Sequence, residues 1–213
     1  MLPPDSLGRA RLYAILDLGY VAPNDAEKLT ERLIEGGADI IQLRAKQQSI
    51  EALREIARQL HRLTSRAKIP LIINDHPEIA RDVPLEGLHL GQDDLPVAAA
   101  REIVRREDCW IGKSTHSVAQ AIAAQAEGAD YIGFGPLFAT PTKPDYQPIG
   151  LGEIARVHEL VQLPIFCIGG IKLENLPDVL AAGARRVVIV SGLLQSADVA
   201  AATRSAKQLI TQK

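Results

Sequence analysis

Asp39-Ile40-Ile41-Gln42-Leu43-Arg44-Ala45-Lys46 is an apolar, strand-like run that ends in amide and cationic side chains. The same pattern recurs along the chain. Pro70-Leu71-Ile72-Ile73 leads into Asn74-Asp75, and Gly87-Leu88-His89-Leu90 into Gly91-Gln92-Asp93-Asp94. Tyr131-Ile132-Gly133-Phe134 leads into a loop carrying Thr140, Thr142 and Lys143, and Pro164-Ile165-Phe166-Cys167-Ile168 into Gly169-Gly170. A chain that follows successive buried strands with cations, carboxylates and glycines builds one site at one end of a parallel sheet, where barrel enzymes keep their chemistry.

Working outward, eight short apolar runs lie at 11–16, 39–43, 70–74, 87–90, 109–113, 129–134, 164–168 and 186–190. Helix-like stretches separate most of them. Asn24-Asp25 reads as a cap before a helix ending at Gly36-Gly37, and Ser49 as the cap of a helix over 50–66, with Leu53, Ile56, Ala57 and Leu60 at helical spacing. A stub is expected near 77–81 and an Ala-rich helix over 117–127, stopped at Gly128. Helices over 172–182, stopped at Gly183, and 197–211 complete the pattern. Strand and helix alternating eight times predict a closed (β/α)8 TIM barrel, in the α/β class, as a single domain over 1–213.

The 213 residues are 46% hydrophobic but only 4% aromatic, so the core must be aliphatic, as suits buried parallel strands flanked by helices. A net charge of −2 excludes a broad nucleic-acid or anionic-membrane surface, so cations that matter are aimed locally at a small anion. Cys109 and Cys167 form neither a disulfide framework nor a metal-ligand pattern. With no leader pattern and no membrane-length apolar run, the expectation is a soluble cytoplasmic protein; assembly as a homo-oligomer is left open.

Gly169-Gly170 and Ser191-Gly192 follow runs seven and eight, the usual phosphate loops of such barrels, where bare backbone N–H groups approach an anion; the plain alternative is tight turns. Asp75 and a carboxylate of the 91–94 loop end neighbouring strands only ~4.8 Å apart and can reach one ion. Hard oxygen donors without a His or Cys pattern suit Mg²⁺, although Asp after a strand also caps helices. Arg44 and Lys46 share a parity and Lys143 joins them from the sixth loop. Singly each is a surface cation; together, over a carboxylate–Mg²⁺ pair, they fit a diphosphate, since unit charges 4 Å apart at a dielectric of ~20 attract by ~4 kcal/mol. His89 faces opposite to Leu88 and Leu90, either filling the barrel or touching a ligand, and Ser114-Thr115-His116-Ser117 supplies hydrogen-bond donors rather than a nucleophile.

From about Leu12 to Ser191 the chain resembles the thiamine-phosphate synthase (thiamine phosphate pyrophosphorylase) family. The resemblance is carried by Gln42-Leu43-Arg44-Ala45-Lys46, Ile73-Asn74-Asp75, the stretch from Leu88 to Asp94, Gly112-Lys113-Ser114-Thr115-His116-Ser117, the stretch from Ala129 to Lys143, Ile168-Gly169-Gly170-Ile171 and Val190-Ser191. It implies a (β/α)8 barrel whose substrates are small molecules: hydroxymethylpyrimidine diphosphate loses diphosphate to the nitrogen of a thiazole phosphate, giving thiamine phosphate. By analogy, Gln42, Leu43, Arg44, Ala45, Lys46, Asn74, Ser114 and Lys143 hold the pyrimidine diphosphate, and Arg44, Lys46, Ser114 and Lys143 serve its departure. Thr140, Pro141, Thr142, Gly170, Val190 and Ser191 hold the thiazole phosphate. Asp75 and Asp94 bind Mg²⁺, the spacing after Gly91-Gln92 favouring Asp94 over Asp93. Ala45 and His76 stand where many relatives carry Glu and Arg, which implies altered support around the site with the reaction type retained. The alternatives are a thiazole tautomerase of the same fold, relying on a histidine resembling His116, and a non-catalytic phosphate-ligand binder.

Overall fold

In a computed structural model, which describes residues 5–140 and 147–212, eight parallel strands close into a barrel in the order β1 to β8. They are β1 Leu12–Asp17, β2 Ile40–Arg44, β3 Leu71–Asn74, β4 Gly87–Leu90, β5 Trp110–Thr115, β6 Tyr131–Phe134, β7 Ile165–Cys167 and β8 Val187–Ile189. All eight expected runs are strands, and each pairs in parallel with the next, β8 closing onto β1.

Among the described residues ten α-helices surround or flank them. They are α1 Ser6–Arg9, α2 Ala26–Glu35, α3 Ile50–Ala67, α4 Pro77–Asp82, α5 Val97–Val104, α6 Val118–Ala126, α7 Ile154–Leu160, α8 Leu176–Ala181, α9 Ser191–Leu194 and α10 Val199–Thr211. Ser49 and Ser117 cap α3 and α6, accepting from the backbone N–H of Ala52 and Gln120 respectively. The Asn24-Asp25 cap is not formed as expected: Pro23–Asp25 is a 3₁₀ turn and the Asp25 side chain makes no capping bond. The seventh-strand helix starts later than 172, because Asn175 Oδ1 accepts from Lys172 N in a turn and Pro177 sits in the first turn of α8. The helices α1, α5, α7 and α9 are additions to the expected set.

Two cores result. One lies between barrel and helices, where Leu43, Ile73, Leu88, Leu90 and Ile132 meet Leu53, Ala57 and Leu60 of α3 and their counterparts on other helices. The other fills the barrel with Tyr13, Ile15, Ile40, Ile72, Tyr131, Phe166 and Val188. Three aromatics interlock there, with Phe166 edge-on to Tyr13 at 5.3 Å and to Tyr131 at 5.7 Å between centroids. Leu7 of α1 and Trp110 pack on the end where the strands begin.

That end is tied by a repeated acidic device. Asp39, immediately before β2, accepts from the N–H of Leu12 at the start of β1 (2.9 Å). Glu86, before β4, accepts from Leu71 N of β3 (2.8 Å), and Asp130, before β6, from Ile111 N of β5 (2.7 Å). Each satisfies a strand-end donor that the sheet leaves over. Asp39 and Asp130 also follow the same Gly-Ala step, Gly37 and Gly128 having left-handed φ of 88° and 84° that ends the preceding helix.

Candidate active site

The cleft opens where the strands end. Its floor is polar because strand parity sends Leu43 and Leu88 outward and Gln42, His89 and Ser114 inward. Gln42, Arg44, Asn74, Ser114, Thr140, Gly170, Val190 and Ser191 all line it. Leu43 and Ala45 do not: both side chains sit in the barrel–helix core, so only their backbone can serve a ligand. Pro141, Thr142 and Lys143 lie outside the described residues. His76 is off the floor as well, its Nδ1 3.1 Å from Glu78 Oε1.

At one side of the mouth Asp75 and Asp94 converge. Asp75 follows β3 with φ of +66°, a left-handed conformation uncommon for a side-chain-bearing residue, and its N–H donates to His89 O (2.9 Å). Gly91 N donates to Asp94 Oδ2 (2.5 Å), which turns that carboxylate back toward Asp75, while Asp93 is exposed. Burial, then a hydrogen bond and repulsion from Asp94, raise the Asp75 pKa to about 6, partly offset by Lys46 and Arg44. For Asp94, burial opposes ionisation, but the hydrogen bonds from Asp75 and Gly91 N–H, with the charges of Lys46 and Lys113, hold its carboxyl below the usual range. Two hard carboxylates that repel unless a cation or proton lies between them fit Mg²⁺, which takes one or two carboxylates and completes its shell with water and substrate phosphate. Asp75 and Asp94 are the residues that would hold it there.

Arg44 and Lys46 flank the pair differently. Arg44 Nη1 meets the buried Asp17 Oδ2 at 2.5 Å, and Asp17 Oδ1 in turn accepts from Gly19 N (2.9 Å). The guanidinium is thus aimed by a carboxylate that the sequence reading passed over, although Asp17 ends β1 as Asn74 ends β3. Lys46 Nζ lies 3.9 Å from Asp75 Oδ2 with its side chain 60% exposed, a mobile cation able to swing onto an anion. Lys113, buried behind the 91–94 loop, is the other charge missed, hidden by its place inside β5.

The opposite side is backbone. Gly169 and Gly170 have φ of +102° and +67°, and a Cβ on Gly170 would lie 2.7 Å from Phe138 Cβ and 2.9 Å from Ala139 O. These glycines therefore let the seventh loop pass directly under the loop that carries Thr140. Asn175 Nδ2 donates to Gly170 O (2.9 Å), and Ser191 opens α9 across the gap. His116 stands between the two sides, its Nδ1–H donating to Gly135 O. Burial pushes the Cys167 thiol up to about 12, so it is an inert core residue.

The thiamine monophosphate synthase family model matches residues 12–193. This chain belongs to that family. It is 41% identical over 202 residues to the thiamine-phosphate synthase of Chloroflexus aurantiacus, covering 94% of this chain and 93% of that one. With the thiamine-phosphate synthase of Halalkalibacterium halodurans it shares 44% over 190 residues, covering 89% and 90%. The solved thiamine phosphate pyrophosphorylase from Pyrococcus furiosus superposes with a TM-score of 0.88 at 30% identity, covering 97% of this chain and 98% of that one. Like other members of the thiamine monophosphate synthase family, the chain is a transferase-type (β/α)8 barrel, and no described helix is long and apolar enough to cross a membrane.

Proposed function

We propose that this protein couples 4-amino-2-methyl-5-(diphosphomethyl)pyrimidine with a thiazole (carboxy)ethyl phosphate, with Mg²⁺, forming thiamine phosphate and diphosphate. The observation that carries the reading is a cleft with charged side chains at one end and bare backbone at the other. Carboxylates and cations (Asp75, Asp94, Arg44, Lys46) stand at one end, and a glycine-backed loop pair with Ser191 at the other. A diphosphate and a monophosphate bound there point their reactive groups at each other across Ser114, His89 and Gly133.

The carbon–oxygen bond between the pyrimidine methylene and the diphosphate breaks first, with the bonding pair leaving on the diphosphate oxygen. The thiazole nitrogen then gives its lone pair to that carbon, so the two steps need no general base. Arg44, Lys46 and Lys143 stabilise the growing negative charge more than the ground state, and the Asp17 contact holds Arg44 where that charge appears. Bound between Asp75 and Asp94, Mg²⁺ would neutralise the leaving diphosphate as a Lewis acid. The thiazole contributes by orientation: held by its phosphate, its nitrogen waits in line with the cationic carbon.

Purified protein mixed with both substrates and Mg²⁺ should form thiamine phosphate, and EDTA should abolish it. No product from a folded sample would overturn the coupling reaction and bring forward the tautomerase, with His116 as the residue to vary.

A further inference from the structure

Beneath the cleft, Tyr13 and Tyr131 join three of its lining residues, Gln42, His89 and Ser114, in an unbroken polar line. Gln42 Nε2 is 2.6 Å from Tyr13 Oη, which is 3.2 Å from Tyr131 Oη. Tyr131 Oη is 3.1 Å from His89 Nδ1, and His89 Nε2 is 3.0 Å from Ser114 Oγ. Packing holds the line as firmly as the bonds do. Tyr131 lies against Gly112, where an added Cβ would come within 2.1 Å of the ring, and Tyr13 and Tyr131 both wedge on Phe166.

Counting hydrogens gives the line a direction. An amide nitrogen can only donate, so Tyr13 Oη accepts from Gln42 and turns its single hydrogen on Tyr131 Oη. Tyr131 then gives its own hydrogen to His89 Nδ1. A neutral imidazole accepting at Nδ1 carries its hydrogen at Nε2, and that hydrogen goes to Ser114 Oγ. Burial keeps both phenols protonated, so neither link is lost at ordinary pH.

We propose that His89 is a positioning residue: fixed by Tyr131 as the Nε2–H tautomer, it turns the Ser114 hydroxyl hydrogen outward, making Ser114 a one-way donor to an anionic oxygen in the cleft. Naming that oxygen as the diphosphate's rests on the coupling reaction above. The opposite direction would turn the Ser114 hydrogen onto His89 and face the diphosphate with lone pairs, which repel an anion. The forward direction also leaves the Gln42 carbonyl for the substrate side, an acceptor matched to an exocyclic amine. Tyr13 and Tyr131 thus act through the lining residues, and His89 acts through the Ser114 hydroxyl.

The test reads the tautomer directly. In ligand-free protein with ¹⁵N-labelled histidine, long-range ¹H–¹⁵N correlations of His89, assigned through its backbone, should show a protonated Nε2 and a bare Nδ1. A bare Nε2, or a doubly protonated ring near neutral pH, overturns the proposal. Tyr131→Phe removes the hydroxyl that fixes the ring. It should give mixed tautomers and raise KM for the pyrimidine diphosphate about tenfold or more, the scale of one hydrogen bond to a charged group, leaving KM for the thiazole phosphate within about twofold. Both KM values rising together, with the tautomer unchanged, would mark Tyr131 as merely structural and overturn the proposal. Should Tyr131→Phe not fold, Ser114→Ala replaces it: the same selective rise in KM supports the donor role, and unchanged KM removes it. Failure of the wild-type protein to make thiamine phosphate would count against the coupling reaction alone, because the His89 tautomer is read without substrate.

Discussion

Asp75 concentrates the tension of the site in one residue. It holds a left-handed φ of +66° and faces a second carboxylate, so without a cation its ionised form is disfavoured. Asp75→Asn should remove most turnover while the fold survives; near-normal activity at limiting Mg²⁺ would take Asp75 out of the metal site. The same substitution should stabilise the metal-free protein. The Asp75 pKa rises from 3.8 to about 6 on folding, so the folded state binds this proton more tightly than the unfolded state. Stability is therefore lost as pH climbs through that window and stays lost above it. Thermal unfolding in EDTA at pH 7–8 should show Asp75→Asn more stable by about 1–3 kcal/mol, the gain vanishing below about pH 4. A variant less stable at pH 7.5 would contradict the repulsion argued here. Residues such as Gln42, Arg44, Asn74 and Asp75 were legible because a strand's parity and its polar end suffice to place them. Asp17 carried the same signal one residue past the first apolar run. The Tyr13 and Tyr131 hydroxyls carried none, since only the register that sets Tyr131 against Gly112 shows that they meet.

At the scale of elements, the end remote from the cleft is organised for stability. The acids before β2 and β4 take the first N–H of the strand before them and the acid before β6 takes the second, and Asp130 adds the Arg101 guanidinium at 2.7 Å. Asp130→Ala should destabilise the protein by about 1–3 kcal/mol by leaving Ile111 N without its acceptor, while kcat and both KM values stay within about twofold. Denaturant unfolding beside steady-state kinetics checks this, and a large kinetic effect would show that the two ends of the barrel are coupled. Before β8 the same Gly-Ala step is followed by Arg185 and Arg186, so the last strand pair lacks the device. This repeat is written in the sequence as Gly37-Ala38-Asp39 and Gly128-Ala129-Asp130, yet its meaning depends on which strand start lies alongside. Strands and most helices could be read from periodicity and caps. The four-residue α1 and α9 could not, being too short to show a period, and Pro177 moved the start of α8.

Across the whole molecule, the barrel sets a cluster of charged side chains at one end of the cleft and bare glycine backbone at the other, the two ends proposed to take the diphosphate and the monophosphate. The cationic end is built by β1 to β4 and the glycine end by β6 to β8, and the charged side chains of the first are held among themselves, Arg44 by Asp17 and Lys46 beside Asp75. Binding at one end should therefore be separable from binding at the other. Lys46→Met should raise KM for the pyrimidine diphosphate by about tenfold and leave the thiazole phosphate within about twofold, because an exposed cation removed from one end disturbs no packing at the other. Gly170→Ala should do the reverse. Its Cβ would collide with Phe138 and Ala139 and push the Thr140 loop outward, while the Asp75–Asp94 side keeps its geometry. The double variant should show the product of the two effects on kcat/KM, as expected for sites without shared contacts. An effect far from that product would mean that filling one end reshapes the other.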